Sequence, residues 1–225
     1  AAEFRRPVFV HIRSSGPFEP GSSIEAIGEV IGATAVTGAA LHIVHINSSC
    51  MRDAPECLAM IAGARARGLD VTTEAYPYGA FMTTINSAAF APGWREHWGI
   101  DYSDLELPST GERLNQARFE ELHAFAEPIQ VLGHQNPDEL VDTIVRHPLV
   151  MIASDGIKEH PRNAGSFARV LARYVRAQRS LTLLDAIRKM SLMPAQRLEV
   201  ATAAARRKGR LQAGADADIV VFDLQ

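Results

Sequence analysis

"VMIASDGI", residues 150–157, is an apolar run that stops abruptly at Ser154-Asp155-Gly156. It reads as a buried strand that delivers a carboxylate to its own C-terminal end. A buried acid is costly unless something compensates it. Either other groups gather at that edge, or Asp155 opens a solvated turn before Gly156. The other apolar runs decide between the two. Residues 7–12 end in His11-Ile12-Arg13, 40–46 in His45-Ile46-Asn47, and 69–74 in Glu74-Ala75-Tyr76, while 128–133 lead into His134-Gln135. Each strand carries a polar, ligating or titratable residue where it ends.

Helical-period segments alternate with these strands, which predicts βα units and a parallel sheet. Ser22 or Ser23 caps a helix with Ile24, Ile27, Val30 and Ile31 on one face. A helix over about 54–67 ends at Gly68. Further helices are expected near 111–125, 138–147, 166–178, 181–190 and 194–200, and a last strand over 217–224. Between 79 and 109 the periodicity disappears, and a segment of that length and aromatic content is expected to be a lid. The reading is an α/β fold with five βα strands. Active sites of barrels and open parallel sheets lie at the C-terminal strand ends. The polar strand ends therefore favour the last five units of a TIM-type (β/α) barrel over an open five-stranded sheet.

Composition narrows the function classes. The chain has 225 residues, 47% hydrophobic and 22% charged, with a formal net charge of −3. That balance predicts neither nucleic-acid nor anionic-membrane binding. Cys50 and Cys57 have no partner pair, so neither a disulfide framework nor a zinc knuckle is indicated. No apolar run approaches the roughly 20 residues of a membrane span, and no signal peptide is visible. A cytoplasmic location is the expectation. Both ends read as cut: a strand follows almost at once after Ala1, and another runs to the last residues.

Two imidazoles and a carboxylate converging from different strands are the donor types of a hydrolytic metal centre. Imidazole suits zinc, and a carboxylate beside an acidified water takes its proton and passes it to a leaving amine. His11, His45 and Asp155 occupy equivalent βα positions, which is what singles them out. His42 reads as structural, His134 fits either reading, and His97, His123 and His147 read as loop or helix-surface residues. No nucleophile elbow follows a strand, since Ala164-Gly165-Ser166-Phe167-Ala168 lacks the first glycine. No G-x-G-x-x-G or P-loop is present either.

The stretch "VMIASDGIKEHPRNAGSFARVLARYV", with "LTLLDAIRKMSLMPAQRL" and "KGRLQAGADADIVVFD", resembles the C-terminal half of the N-acyl-D-amino-acid deacylases, the D-aminoacylase branch of the amidohydrolase superfamily. "VFVHIRSSG", "LHIVHINSS" and "LDVTTEAYPY" resemble its preceding strands. The resemblance implies a barrel domain over 1–205, with the long loop 79–109. Residues 206–225 would begin a return to a small β-sandwich. It implies one or two zinc ions in the intact enzyme, with His11 and His45 as ligands. Asp155 would be general base and acid, and would touch a second metal. Tyr76 and Arg162 are implied to bind substrate, and a guanidinium fork suits a carboxylate.

Two departures bear on specificity. Asn47 stands where many relatives carry a lysine, and Phe81-Met82-Thr83 where they often carry Gly-Ser-Thr. Both are implied substrate-contact positions. "HINSS" and "TTEAYPY" are similar to the N-acyl-D-glutamate subgroup. The family's first-strand H-x-H and bridging cysteine have no counterpart in this sequence, and are expected upstream of Ala1. The expected activity is hydrolysis of the linear amide of an N-acyl-D-amino acid. The alternatives are a non-catalytic fragment and an amidohydrolase acting on a cyclic amide or ester. Unpaired sheet edges leave homo-oligomerisation open.

Overall fold

The computed structural model describes residues 1–224. Its first half follows the βα pattern. β1 (Val8–Val10) leads to α1 (Ser23–Thr37), where the Ser22 hydroxyl accepts from the Glu25 N–H and Gly38, at φ 69°, closes the C-terminus. β2 (Leu41–Ile43) is followed by the short α2 (Ile46–Cys50), α3 (Ala54–Ala66) and β3 (Val71–Ala75). Much further along, β8 (Val150–Ile152) completes a four-stranded parallel sheet in the order β1-β2-β3-β8. Ile43 is paired with Thr73, and Ala75 with Ile152.

One face of this sheet is packed by helices. Leu41, Ile43, Val71 and Val150 are buried against Ile27 of α1, Leu58 and Ile61 of α3, and Ile144. The opposite face carries Phe9, His42, Glu74 and Met151. Period-2 side-chain alternation puts these two sets on opposite faces.

The segment between β3 and β8 departs from expectation. Residues 79–109 are not an irregular lid. They contain β4 (Ala80–Thr84), α4 (Trp94–Trp98) and β5 (Leu105–Leu107), followed by β6 (Glu112–Arg113), α5 (Gln116–His123) and β7 (Gln130–His134). These strands form a second, antiparallel sheet in the order β4-β7-β5-β6. Phe81 faces Gly133, and Glu106 faces both Leu132 and Arg113. The strand expected over 128–133 therefore exists but is not a fifth parallel strand. Val131 and Leu132 are buried on opposite faces of a central antiparallel strand. A doubly buried run reads the same in either setting. The inserted sheet has its own core, in which Phe90, Trp94 and Phe119 meet Ile85, Leu105 and Val131. The ring centroids of Phe90 lie 5.1 Å from Trp94 and 5.4 Å from Phe119.

After β7 come α6 (Asp138–Arg146), which precedes β8, and then α7 (Arg162–Arg169), which continues in a wider π-type winding over Val170–Ala177. α8 (Leu183–Ile187) and α9 (Met193–Leu198) follow, and Pro194, Arg197 and Leu198 approach the second face of the parallel sheet. The strand expected over 217–224 is absent. Ile219, Val220 and Val221 are exposed, and a strand with no partner has nothing to hold its backbone hydrogen bonds. Gln225, the last residue of the expected 206–225 return to a β-sandwich, lies outside the described residues. Among the described residues no helix is long and apolar enough to cross a membrane.

Lys189 is buried behind β8, where its ammonium donates to the carbonyls of His147 and, at 2.8 Å, of Val150. Burial, with Arg188 adding to it, brings its pKa down from 10.5 to about 8. The unfolded chain therefore holds more protons than the folded one between about pH 8 and 10.5. Stability from this group rises with pH across that window. We expect the unfolding free energy of the wild type, relative to Lys189→Met, to rise by up to about 1.4 kcal/mol per pH unit there. Urea titrations at several pH values check this, and parallel curves for the two proteins would refute it.

Candidate active site

The parallel sheet brings His11, His45 and Asp155 to one edge, just past the ends of β1, β2 and β8. His45 (φ 34°) and Asp155 (φ 46°) both have left-handed backbone, a conformation that non-glycine residues seldom adopt. It turns each chain sharply out of its strand. The three side chains line a cavity of about 450 Å³, a size suited to a small ligand. The inserted sheet supplies the facing wall through Phe81, Met82 and Trp98, with the Phe81 and Trp98 rings 5.2 Å apart and edge-on. Gly133 makes room for this wall, because a Cβ there would lie 2.1 Å from the Phe81 ring.

The imidazoles of His11 and His45 meet edge to face at 4.6 Å. Nδ1 of His11 lies 2.8 Å from the carbonyl of Ile12, which can only accept, so Nδ1 carries the proton and Nε2 has the lone pair. Nδ1 of His45 lies against the hydroxyls of Ser49 (2.9 Å) and Ser48 (3.0 Å). Burial lowers the pKa of His45, aided by the neighbouring His11 and opposed by Asp155 and Glu74. Both rings are thus oriented in the way metal-binding imidazoles usually are, through the nitrogen that does not bind.

Asp155 answers the problem posed by its strand. Its carboxylate pairs with the guanidinium of Arg162 at 2.9 Å, and the Arg162 side chain is only 6% exposed. That guanidinium lies 4.5 Å over the ring of Tyr76. Arg162 is delivered by the first turn of α7, which His160 ties down. The Arg162 N–H donates to Nδ1 of His160 at 2.9 Å, and Nε2 of the same ring donates to the carbonyl of Ala80 at 3.1 Å. Burial pushes the pKa of His160 down to about 4, in keeping with a neutral ring that accepts and donates at once.

Not every expected residue reaches the cavity. Tyr76 is buried beneath Arg162 and does not line the cavity. Burial pushes its hydroxyl up to about 12. Asn47 differs more sharply from its expected substrate contact. It is fully buried, and its amide donates to the carbonyls of Tyr76 and Tyr78 at 3.2 Å each while accepting from the Tyr76 N–H. A short amide in that place latches two backbone segments together. His134 pairs with Glu106 at 3.0 Å within the antiparallel sheet. Among the described residues no group of three or more His, Cys, Asp and Glu side chains is close enough to hold a metal ion. His11 and His45 face the cavity together, whereas Asp155, expected as a ligand too, is engaged by Arg162. Sequence reasoning missed His160 and the buried Glu74. The only signal for either was position: His160 precedes Pro161-Arg162, and Glu74 ends a strand.

A model of the amidohydrolase family matches residues 21–225. The chain belongs to the amidohydrolase family. Among its relatives in that family, the N-acyl-D-glutamate deacylase of Alcaligenes xylosoxydans xylosoxydans is 33% identical over 95% of this chain and 44% of its own length. The N-acyl-D-aspartate deacylase of the same organism is 30% identical over 75% of this chain and 34% of its own. The crystal structure of N-acyl-D-glutamate deacylase from Bordetella bronchiseptica covers the whole of this chain with a TM-score of 0.79 and 30% identity, using 48% of its own chain. That protein was solved with zinc and a phosphonate inhibitor that mimics the tetrahedral intermediate of the reaction. The amidohydrolase chain described here thus has the α/β fold of these deacylases and spans less than half the length of each.

Proposed function

We propose that the intact protein hydrolyses the linear amide bond of N-acyl-D-amino acids, releasing a carboxylate and a free D-amino acid. The observation that carries the reading is the meeting of Asp155, His11 and His45 on one cavity, opposite an apolar wall. The named activities of the relatives give the substrate class, and glutamate is the side chain to try first. We further propose that the parallel sheet is part of a TIM-type (β/α) barrel spanning 1–205, and that 206–225 lead toward a small β-sandwich.

His11 and His45 would hold zinc through Nε2, with further ligands from outside the described residues. Bound there, zinc would supply Lewis-acid polarisation and a water that ionises near neutral pH. The chain's own groups do the rest. Asp155 accepts a proton from the attacking water and returns it to the amide nitrogen as the carbon–nitrogen bond breaks. Arg162 holds the substrate carboxylate. Arg162 lines the cavity beside Asp155, and a guanidinium offers more donors than the one paired with that carboxylate. Phe81, Met82 and Trp98 take the apolar part of the substrate and exclude water. Tyr76 supports the Arg162 plane from below.

The test is an assay of the intact protein on N-acetyl-D- and N-acetyl-L-amino acids, before and after chelation and zinc return. We expect turnover of D-substrates that disappears on chelation and comes back with zinc. A preference for L-substrates, or activity indifferent to the chelator, would refute the proposal.

A further inference from the structure

Behind His45, on the sheet face away from α1 and α3, three side chains form a line of hydrogen bonds that runs from the carbonyl of Leu41 to the backbone N–H of His45. The Thr72 hydroxyl donates to the carbonyl of Leu41 at 3.3 Å, so its proton is spent. Nδ1 of His42, 2.8 Å from the same hydroxyl oxygen, must therefore be the donor there. A proton held between Nε2 of His42 and one carboxylate oxygen of Glu74 makes the next bond, and the other oxygen accepts the backbone N–H of His45 at 2.7 Å. His42 and Glu74 are both buried. The residue at the end of this line is the one held at φ 34°. Left-handed backbone in a non-glycine residue persists only where the surroundings enforce it.

We propose that Glu74, itself fixed by His42, is a positioning residue for His45. It clamps the amide of His45 in the left-handed conformation, and so aims the imidazole at His11 and the cavity. The hydrogen bond, not the charge, does the work. This rests on reading His45 as a metal ligand, but the clamp itself is a property of the metal-free chain.

Glutamine and alanine separate the possibilities. In Glu74→Gln the side-chain oxygen still accepts from the His45 N–H. His42, protonated on Nδ1, can accept from the new amide at Nε2. Two readouts are taken on each variant: nuclear Overhauser contacts between the His11 and His45 rings without metal, and zinc affinity by titration. We expect Glu74→Gln to keep both. Glu74→Ala should lose the ring contacts and bind zinc about 10- to 100-fold more weakly, the usual effect of removing a group that orients a ligand. Wild-type ring contacts and affinity in Glu74→Ala would overturn the proposal, as would a Glu74→Gln protein as impaired as alanine. Should alanine fail to fold, the near-isosteric Thr72→Val releases His42 alone, and a three- to tenfold weakening is expected from the loss of one buried hydrogen bond. No change in either readout for Thr72→Val would then overturn it. A wild-type protein that binds no zinc yet shows the ring contacts and their loss would sink the metal reading and leave the clamp standing.

Discussion

Asp155→Asn in the intact protein should lower kcat for N-acyl-D-amino-acid hydrolysis about 10²- to 10⁴-fold, the range supplied by one positioned acid–base group. Asparagine keeps the shape of the side chain and most of its hydrogen-bonding capacity, but it cannot carry a proton from water to amine. KM should move far less than kcat, because the carboxylate contributes to the proton transfers more than to binding. The substitution also strips Arg162 of its counter-charge. Arg162 is only 6% exposed, so the loss of its counter-charge also costs stability. Steady-state kinetics beside a denaturation curve separates the two effects. A variant within threefold of the wild-type kcat would remove Asp155 from the chemistry.

The second large effect concerns stability. Gly79 stands where the chain leaves the parallel sheet for β4, and a Cβ at this position would lie 2.2 Å from the backbone carbonyl oxygen of Asn136. That carbonyl has little freedom to retreat. The Asn136 N–H donates to the carbonyl of Gly79 at 3.2 Å, and its side-chain amide donates to the carbonyl of Asn47 at 2.6 Å. Asn47 in turn holds the backbone of Tyr76 and Tyr78. One added methyl therefore pushes on a point where three segments are bonded to one another. We expect Gly79→Ala to cost about 3 kcal/mol, at the upper end of ordinary overpacking. Equilibrium urea unfolding measures it. A loss below about 0.5 kcal/mol, the level of a neutral surface change, would show that the junction yields easily.

The ends of the four parallel strands were readable because each carries a polar residue where it leaves the sheet, and local pattern is enough to see that. His11, His45 and Asp155 stand out for this reason, and the structure brings them to one cavity. Arg162 was readable as a site residue but not as the partner of Asp155, since a turn of loop separates them and its course depends on His160. Of the inserted sheet only β7 was legible, and its antiparallel pairing was not. β4 and β7 pair across a long stretch of intervening chain, and nothing in "AFMTT" announces where its hydrogen-bonding partner lies. Asn47 misled for a different reason. His45 and Ser48, close to it in sequence, line the cavity, and only the fold shows that its amide is taken up by backbone carbonyls. Glu74 ends a strand as the others do, yet its side chain is turned to His42 and the amide of His45.

The cavity thus has two walls of different origin. The chemical wall sits on strands whose core is shared with α1 and α3, whereas the aromatic wall belongs to a sheet that packs around its own cluster of rings. The two walls are joined at two points, where His160 donates to the carbonyl of Ala80 and the Asn136 amide to that of Asn47, so a change in the support of Phe81 reaches the groups that hold Arg162 and Tyr76. The aromatic wall can thus be varied only where those two joints are kept.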